Sequence, residues 1–336
     1  MAEYHHEQVA YWNDQTVGLH AIIAIHSTVL GPSLGGCRMY HYACEQDALA
    51  DVLRLSHAMT YKAAAAGVAF GGGKSVILAD ETTVKSEQIF RSFGRFVGSL
   101  GGRYTASEDV GTSMADLEWA RRETIHVARD YDCPDGDMNY LTALGTYEGM
   151  RAAATRVFGS PSLAGRTVAV QGLGHVGWPL CELLHAAGAD LIVTDLRADI
   201  CDRARAKWGA RAVAVDEILA TPCDVLAPCA MGGVLDDASI PGLACAIVAG
   251  SANNVLAAPE HGRALHERGV LLAPDYVING GGLIAEACRL EGLDFAAARE
   301  RVLRVYDNVA QVLDLADSEQ IAPSDAADRF AEQRLA

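Results

Sequence analysis

Four lysines, at positions 62, 74, 85 and 207, stand among 27 basic residues, so the chain otherwise writes positive charge as arginine. Lys62 and Lys74 each adjoin small residues, Ala63 to Gly67 in one case and Gly71-Gly72-Gly73 in the other. Small neighbours let a substrate approach an ammonium group closely. A lysine desolvated there, or set near a second cation, holds its proton less tightly and becomes a usable general base, a role arginine cannot fill. The plain alternative for either residue is an ordinary solvated lysine. The run Thr105-Ala106-Ser107-Glu108-Asp109-Val110-Gly111 adds two adjacent acids after a strand-like stretch, and only one can face the side of the other strand-end groups. Asp109 is the candidate: near lysines its carboxylate stays ionised, binds an ammonium group and can shuttle protons. Its plain alternative is a helix cap or a surface acid.

A second constellation lies at Gly172-Leu173-Gly174-His175-Val176-Gly177. It follows the apolar run Thr167 to Gln171, opens an amphipathic stretch to Ala187, and is followed by a second apolar run, Leu191 to Thr194, ending at Asp195. That order is the fingerprint of a dinucleotide site. Gly172 allows the tight turn, Gly174 lets backbone approach a pyrophosphate at the helix N-terminus, and Gly177 lets helix and strand pack closely. Asp195 is the ribose partner, and its charge repels a 2′-phosphate, so NAD is favoured over NADP although Arg197 follows closely. His175, Val176 and Leu196 are counted with the cofactor site, without chemistry assigned to His175.

These groups need two frames to hold them. Leu19 to Val29 reads as a strand, Gly31 to Gly36 as a turn, and Glu45 to Ala65 as a helix closed by Gly67. Ser75 to Leu78, Ser86 to Leu100 and Tyr104 onward read as strand, helix and strand. The stretch from Tyr131 to Tyr140, with Asp132, Pro134, Asp135, Gly136 and Asp137, suits a domain junction. Beyond it, a helix over Thr142 to Val157 precedes alternating strands and helices to about Ala273, and Asp294 to Leu335 is helical. The 336 residues suit two cores. A net charge of −16 opposes contact with nucleic acid or an anionic membrane, and no 18-residue apolar run or signal-peptide pattern appears, which favours a cytoplasmic protein. Nine cysteines without a C-x-x-C pair suit reduced thiols, and no metal site is expected.

The sequence resembles the glutamate/leucine/phenylalanine/valine dehydrogenase family, in its shorter leucine, phenylalanine and tryptophan branch. The resemblance rests on Gly31-Pro32-Ser33-Leu34-Gly35-Gly36-Cys37-Arg38, Met59-Thr60-Tyr61-Lys62, Gly71-Gly72-Gly73-Lys74, Glu108-Asp109-Val110-Gly111, Thr142-Ala143-Leu144-Gly145, the dinucleotide motif, Ala227-Pro228-Cys229-Ala230, Ala252-Asn253-Asn254 and Pro274-Asp275-Tyr276-Val277-Ile278-Asn279. It implies an α/β chain with an N-terminal α/β substrate and oligomerisation domain over 1–135 and a C-terminal Rossmann NAD-binding domain over 136–315. A C-terminal helix over 316–336 is a candidate to return to the first domain. The implied reaction is NAD-dependent, reversible oxidative deamination of an L-amino acid to a 2-oxo acid and ammonia by a homo-oligomer. Lys62 would bind the substrate carboxylate, Lys74 activate the attacking water, and Asp109 hold the amino group and relay protons. Gly35 and Gly36 would line the carboxylate site, and Thr142, Asn253, Asn254 and Asn279 would lie on the nicotinamide side, with the ring-amide partner open between Asn253 and Asn254.

At positions matching the family's side-chain pocket stand Leu34, Met59, Ser107, Leu283 and Glu286. Leu34 argues against glutamate as substrate, and an aromatic or branched aliphatic amino acid is favoured. Glu286 departs from the pattern. A buried carboxylate is costly unless neutralised, so it either meets a basic or polar substrate side chain or is turned toward water or an internal arginine. The Pro-x-Pro usual before the Thr-Ala pair is absent, with Met138-Asn139-Tyr140-Leu141 in its place. A catalytically silent sensor of NAD and an amino acid is the remaining alternative, which the intact Lys62, Lys74 and Asp109 oppose.

Overall fold

The structure is a computed structural model that describes residues 5–80, 83–129 and 138–336. The described residues fall into two compact units, one running up to Arg129 and joined by Arg334–Ala336, the other spanning Met138–Gln333. The junction expected at 135/136 lies outside the described residues.

The first unit runs β1 (Gln8–Asp14), β2 (Leu19–Ser27), β3 (Ser33–His41), α1 (Glu45–Ala66), β4 (Gly71–Ala79), α2 (Glu87–Ser99), β5 (Tyr104–Glu108) and α3 (Met114–Arg121). Its five strands form one mixed sheet in the order β1-β2-β4-β3-β5. β3 is parallel to both β4 and β5, while β2 pairs antiparallel with β1 and β4. The apolar positions of the strands alternate between two cores. Ile23, Cys37 and Ile77 pack with Phe90, Phe93 and Phe96 of α2. Ile22, Ala24 and Val76 pack with Ala48, Val52 and Leu53 of α1 on the opposite face. α1 ends where Gly67 takes a left-handed conformation and its N–H caps the last turn. α2 starts at Ser86, whose hydroxyl accepts from the Ile89 N–H, and α3 starts in a reciprocal Ser113–Asp116 capping box.

The glycine-rich segment departs from the sequence reading. The turn ends at Pro32, and Ser33 to Gly36 belong to β3, buried between two partner strands. Gly35 is required by this packing, since a Cβ there would lie 1.7 Å from the Gly73 carbonyl oxygen. β1 and α3 were not anticipated either, and β4 begins three residues before Lys74.

The second unit holds α4 (Met138–Phe158), β6 (Thr167–Gln171), α5 (Gly177–Ala186), β7 (Asp190–Thr194), α6 (Ala198–Trp208), β8 (Arg211–Ala212), β9 (Val225–Pro228), β10 (Ile247–Val248), α7 (Glu260–Glu267), β11 (Leu271–Leu272), α8 (Asp275–Ile278), α9 (Gly281–Leu290), α10 (Phe295–Val302), α11 (Val305–Glu319) and α12 (Pro323–Leu335). The strands form one all-parallel sheet in the order β11-β10-β9-β6-β7-β8. Counted from β6 this is the 3-2-1-4-5-6 arrangement of a Rossmann fold, which binds its ligand where the strand order reverses, between β6 and β9. The helical tail expected from Asp294 is three helices, broken at Leu303–Arg304 and at Gln320 in a left-handed conformation. Among the described residues no helix is long and apolar enough to cross a membrane.

Candidate active site

Parallel pairing places three charged residues together. Lys74 lies within β4, Arg38 within β3, and Asp109 directly follows β5. The register sets Cys37 opposite both Ser75 and Glu108, so Lys74 and Asp109 flank β3 at the level of Gly36 and Cys37. The turn carrying Asp109 is clamped onto β3. The Met39 N–H donates to the Val110 carbonyl at 2.9 Å, and the Thr112 hydroxyl donates to the Cys37 carbonyl at 2.7 Å while accepting the Asp109 N–H.

Lys74 is 5% exposed, and its Nζ stands 3.0 Å from Asp109 Oδ2. The same oxygen accepts a hydrogen bond from Arg38 Nε at 2.8 Å. No partner for Asp109 Oδ1 is found among the described residues. Burial loosens the Lys74 proton and holds the group below the usual lysine range; Asp109 acts against this and Arg38 acts with it. Burial alone would raise the Asp109 carboxyl, but Lys74 and Arg38 outweigh it and keep the group below the usual carboxylate range. The result is a lysine poised to give up its proton beside a carboxylate with one oxygen committed and one available.

Gly36 makes the arrangement possible. A Cβ there would lie 2.7 Å from the Asp109 Cβ and 3.1 Å from Lys74 Nζ. The neighbouring Gly35 carbonyl accepts from the Tyr104 hydroxyl at 2.8 Å, and that hydroxyl also hydrogen-bonds Ser75 Oγ at 2.9 Å. Leu34 is buried at the head of β3, and Ser107 lies half-buried on β5 opposite Gly36. Met59 and Lys62 are half-buried on the last turns of α1, where the Thr60 backbone presses on β4 so closely that a Cβ on Gly72 would lie 2.2 Å from the Thr60 nitrogen.

Sequence reasoning quoted Arg38 within a motif but gave it no place in the site. Its Nη1 donates to Asp51 Oδ2 at 2.8 Å, and Asp51 also accepts from the Tyr42 hydroxyl and from Arg54. The available signal was an arginine two residues after the paired glycines.

In the second unit Gly172 follows β6 with φ +95°, a conformation that favours glycine. A Cβ on Gly177 would meet the Gly172 carbonyl at 2.0 Å, whereas a Cβ on Gly174 would meet nothing within 4 Å. The loop is therefore tight beneath and open above Gly174, as a pyrophosphate at the start of α5 requires. Asp195 Oδ2 accepts the Leu173 N–H at 2.8 Å, which ties the end of β7 to the glycine loop, and Oδ1 accepts from Arg197 N and Nε. A carboxylate has capacity left for ribose hydroxyls. Leu196 beside it is exposed, His175 is exposed within the loop, and Val176 is the cap of α5.

Asn279 Nδ2 donates to Asn253 Oδ1 at 2.7 Å and to the Ser251 carbonyl at 3.1 Å, while its own Oδ1 is buried without a partner among the described residues. An unpaired buried acceptor beside a second amide suits a carboxamide ligand. Asn254 adopts a left-handed turn with φ +51°. Thr142 lies at the crossing of α4 and α9, its hydroxyl within 2.7 Å of where a Cβ on Gly282 would stand. Leu283 is buried on α9. Glu286 is buried too and is ion-paired through Oε1 with Arg289 Nη2, so this carboxylate meets an internal arginine. Among the described residues no group of three or more His, Cys, Asp or Glu could hold a metal ion.

Residues 5–126 match the family segment described as Glu/Leu/Phe/Val dehydrogenase, dimerisation domain, and residues 195–293 match Glutamate/Leucine/Phenylalanine/Valine dehydrogenase. A leucine dehydrogenase of Geobacillus stearothermophilus is 47% identical over 338 aligned positions, covering 100% of this chain and 92% of that protein. A valine dehydrogenase of Streptomyces virginiae is 47% identical over 335 positions, covering 98% and 94%. The crystal structure of L-tryptophan dehydrogenase from Nostoc punctiforme matches with a TM-score of 0.90 at 39% identity, covering 99% of this chain and 97% of that one. The chain belongs to the glutamate/leucine/phenylalanine/valine dehydrogenase family and is an amino acid dehydrogenase.

Proposed function

We propose that the chain catalyses reversible, NAD-dependent oxidative deamination of an L-amino acid with a branched aliphatic side chain. The observation that carries the reaction is the pairing of buried Lys74 with half-buried Asp109, whose second carboxylate oxygen is unshared. The Lys62 ammonium and the backbone at Gly35 and Gly36 bind the substrate carboxylate. Asp109 Oδ1 accepts from the substrate ammonium. Once the substrate carbon is oxidised to the iminium, neutral Lys74 takes a proton from the water that attacks it. Asp109, which took a proton from the substrate ammonium before the hydride left, returns it to the nitrogen of the carbinolamine, and the carbinol O–H proton passes to the freed carboxylate as the C–N bond breaks, giving the 2-oxo acid and ammonia. A deprotonated lysine serves here because the water must lose a proton as its oxygen bonds to carbon.

A dehydrogenase of this family, with a Rossmann sheet, works with a nicotinamide cofactor. The groups for it are the 172–177 loop with the N-terminus of α5 for the pyrophosphate, Asp195 for the ribose, and Asn253, Asn279 and Thr142 for the carboxamide end. Asn253 is preferred over Asn254 as the amide partner because Asn279 orients it. Asp195 disfavours a 2′-phosphate, and Arg197 is already engaged by Asp195, which supports NAD over NADP. When bound, the nicotinamide accepts the hydride from the substrate α-carbon.

The substrate class is supported by the leucine and valine dehydrogenase relatives and, in the first unit, by buried Leu34. Pairing of Glu286 with Arg289 supports the reading in which an internal arginine, not a basic substrate, meets this carboxylate. The first unit, matched by the dimerisation segment, is read as the surface on which copies associate.

The test is NADH formation with purified protein and a panel of aliphatic, aromatic, acidic and basic L-amino acids. Turnover led by leucine or valine, lost in Lys74→Ala, supports the reading. Silence across the panel with NAD binding intact, or full activity of Lys74→Ala, overturns it.

A further inference from the structure

Arg38 spans two carboxylates from a single guanidinium. Its Nε meets Asp109 Oδ2 and its Nη1 meets Asp51 Oδ2, each at 2.8 Å, and the planar fork fixes the two directions relative to each other. Asp51 is in turn held by the Tyr42 hydroxyl at 2.8 Å and by Arg54 at 2.8 Å. A chain of charge-assisted hydrogen bonds thus runs from α1 through β3 to the turn after β5. It ends on the oxygen of Asp109 that Lys74 also contacts, so rotation of the carboxylate would break two such bonds at once.

We propose that Arg38 is the positioning residue of the active site: it locks Asp109 so that Oδ1 remains for substrate, and its fixed charge sets the pH range in which Lys74 acts as a base. The proposal rests on the roles given above to Lys74 and Asp109. Arg38 touches neither substrate nor cofactor in this account and acts through these two residues.

The electrostatic half follows from the groups around Lys74. Asp109 favours its ammonium form, and Arg38 opposes it with a charge that never titrates in the working range. The Cys37 thiol, pushed up to about 12 by burial, and the buried Tyr104 hydroxyl, also raised by burial, are neutral there. Asp51 and Arg54 offset each other behind Arg38, Lys85 and Asp116 pair with each other, and Glu108 is exposed at the end of β5. Arg38 is the cation bonded to the carboxylate that Lys74 contacts.

The experiment is the pH profile of kcat/KM for amine oxidation by Arg38→Gln, Arg38→Lys and Asp109→Asn, alongside the unaltered protein. Arg38→Gln is expected to move the rising limb about one unit to higher pH, a tenfold change in proton concentration, and to lower the plateau at least tenfold. Arg38→Lys keeps the charge but cannot span both carboxylates, so the limb stays in place while the plateau falls. Should Arg38→Gln not fold, Asp51→Asn carries the test with the opposite sign. Arg38 then loses its distal counter-charge and the limb moves to lower pH. A uniform loss of rate with an unmoved limb in Arg38→Gln, or an unmoved limb in Asp51→Asn where that variant stands in, makes Arg38 merely structural and overturns the proposal. Full activity of Asp109→Asn would overturn the underlying reading of the site instead.

Discussion

Lys74 Nζ stands 3.0 Å from Asp109 Oδ2, yet the lysine holds its proton less tightly than a lysine in water, because burial and the nearby Arg38 outweigh the attraction of the carboxylate. A buried ion pair more often fixes both partners in their charged forms. Here the pair is poised so that the cation can discharge.

The sign of the pH dependence follows. In the proposed role Lys74 must be neutral to take a proton from water, and its folded-state proton affinity is below that of free lysine, near 10.4. Amine oxidation therefore rises with pH, with its limb below that value. Steady-state kcat/KM measured across the neutral to alkaline range checks this, with α-deuterated substrate showing that the chemical step limits. A flat profile under a full isotope effect would remove Lys74 as the base.

Gly36 admits a second prediction. In Gly36→Ala the added Cβ meets the Asp109 Cβ and the Glu108 carbonyl oxygen at 2.7 Å, with Lys74 Nζ at 3.1 Å. The turn after β5 must shift by a few tenths of an ångström, and with it the Lys74–Asp109 geometry. We expect a stability loss of about 1–3 kcal/mol by urea denaturation. kcat should fall about a hundredfold, because small misplacements of catalytic groups are costly. Unchanged kcat in a folded variant would show that the turn relaxes freely.

How much of this was legible in sequence differs between the two units. In the second, the elements from α4 to β7 were readable one by one, because the strands are apolar runs bounded by glycine turns, whereas the short strands from β8 to β11 and their helices were readable only as an alternation. The strand order that makes it a Rossmann sheet was not, since parallel partners are set by packing between distant segments. In the first unit, β3 was hidden because Gly31-Pro32 and Gly35-Gly36 carry turn chemistry. Its strand character comes from β4 and β5 on either side, where the lack of side chains permits close approach. Missing β3 also hid Arg38, which meets Asp109 only through that pairing. Asn253 and Asn254 could not be told apart by type; the hydrogen bond from Asn279 to Asn253 and the left-handed turn at Asn254 are differences visible only in the fold, and they favour Asn253 in the proposed role.

A third prediction concerns acid stability. His6 hydrogen-bonds Ser56 of α1 at 2.7 Å, and the ring of His26 on β2 stands 4.9 Å from that of His6 and 4.7 Å from that of His57 on α1. Burial and the neighbouring His26 lower His6 and His57 to about 4. The unfolded chain protonates these rings near 6.5 and the folded chain does not. Their contribution is therefore fully present above that pH and is lost as pH falls toward 4. Each is worth about 1–2 kcal/mol after allowance for partial solvent access. Urea denaturation at pH 7.5, 5.5 and 4.5 should show the decline, and His57→Gln should make it shallower. An unchanged slope in that variant would assign the acid sensitivity elsewhere.

Glu286 and Arg289 give the last prediction. They lie one turn apart on α9, both buried, and Arg289 Nη1 has no other partner among the described residues. Removing one member of such a pair leaves a charge buried without compensation, a loss of about 3–5 kcal/mol, whereas replacing both with apolar groups of similar volume is close to neutral. Glu286→Val should therefore unfold at distinctly lower urea, and Glu286→Leu combined with Arg289→Leu should recover most of the loss. Neither change should alter the ranking of leucine or valine against lysine or arginine as substrates. If Glu286→Val instead keeps its stability and gains or loses a class of substrates, the carboxylate belongs to the side-chain pocket, and its pairing with Arg289 is broken when substrate binds.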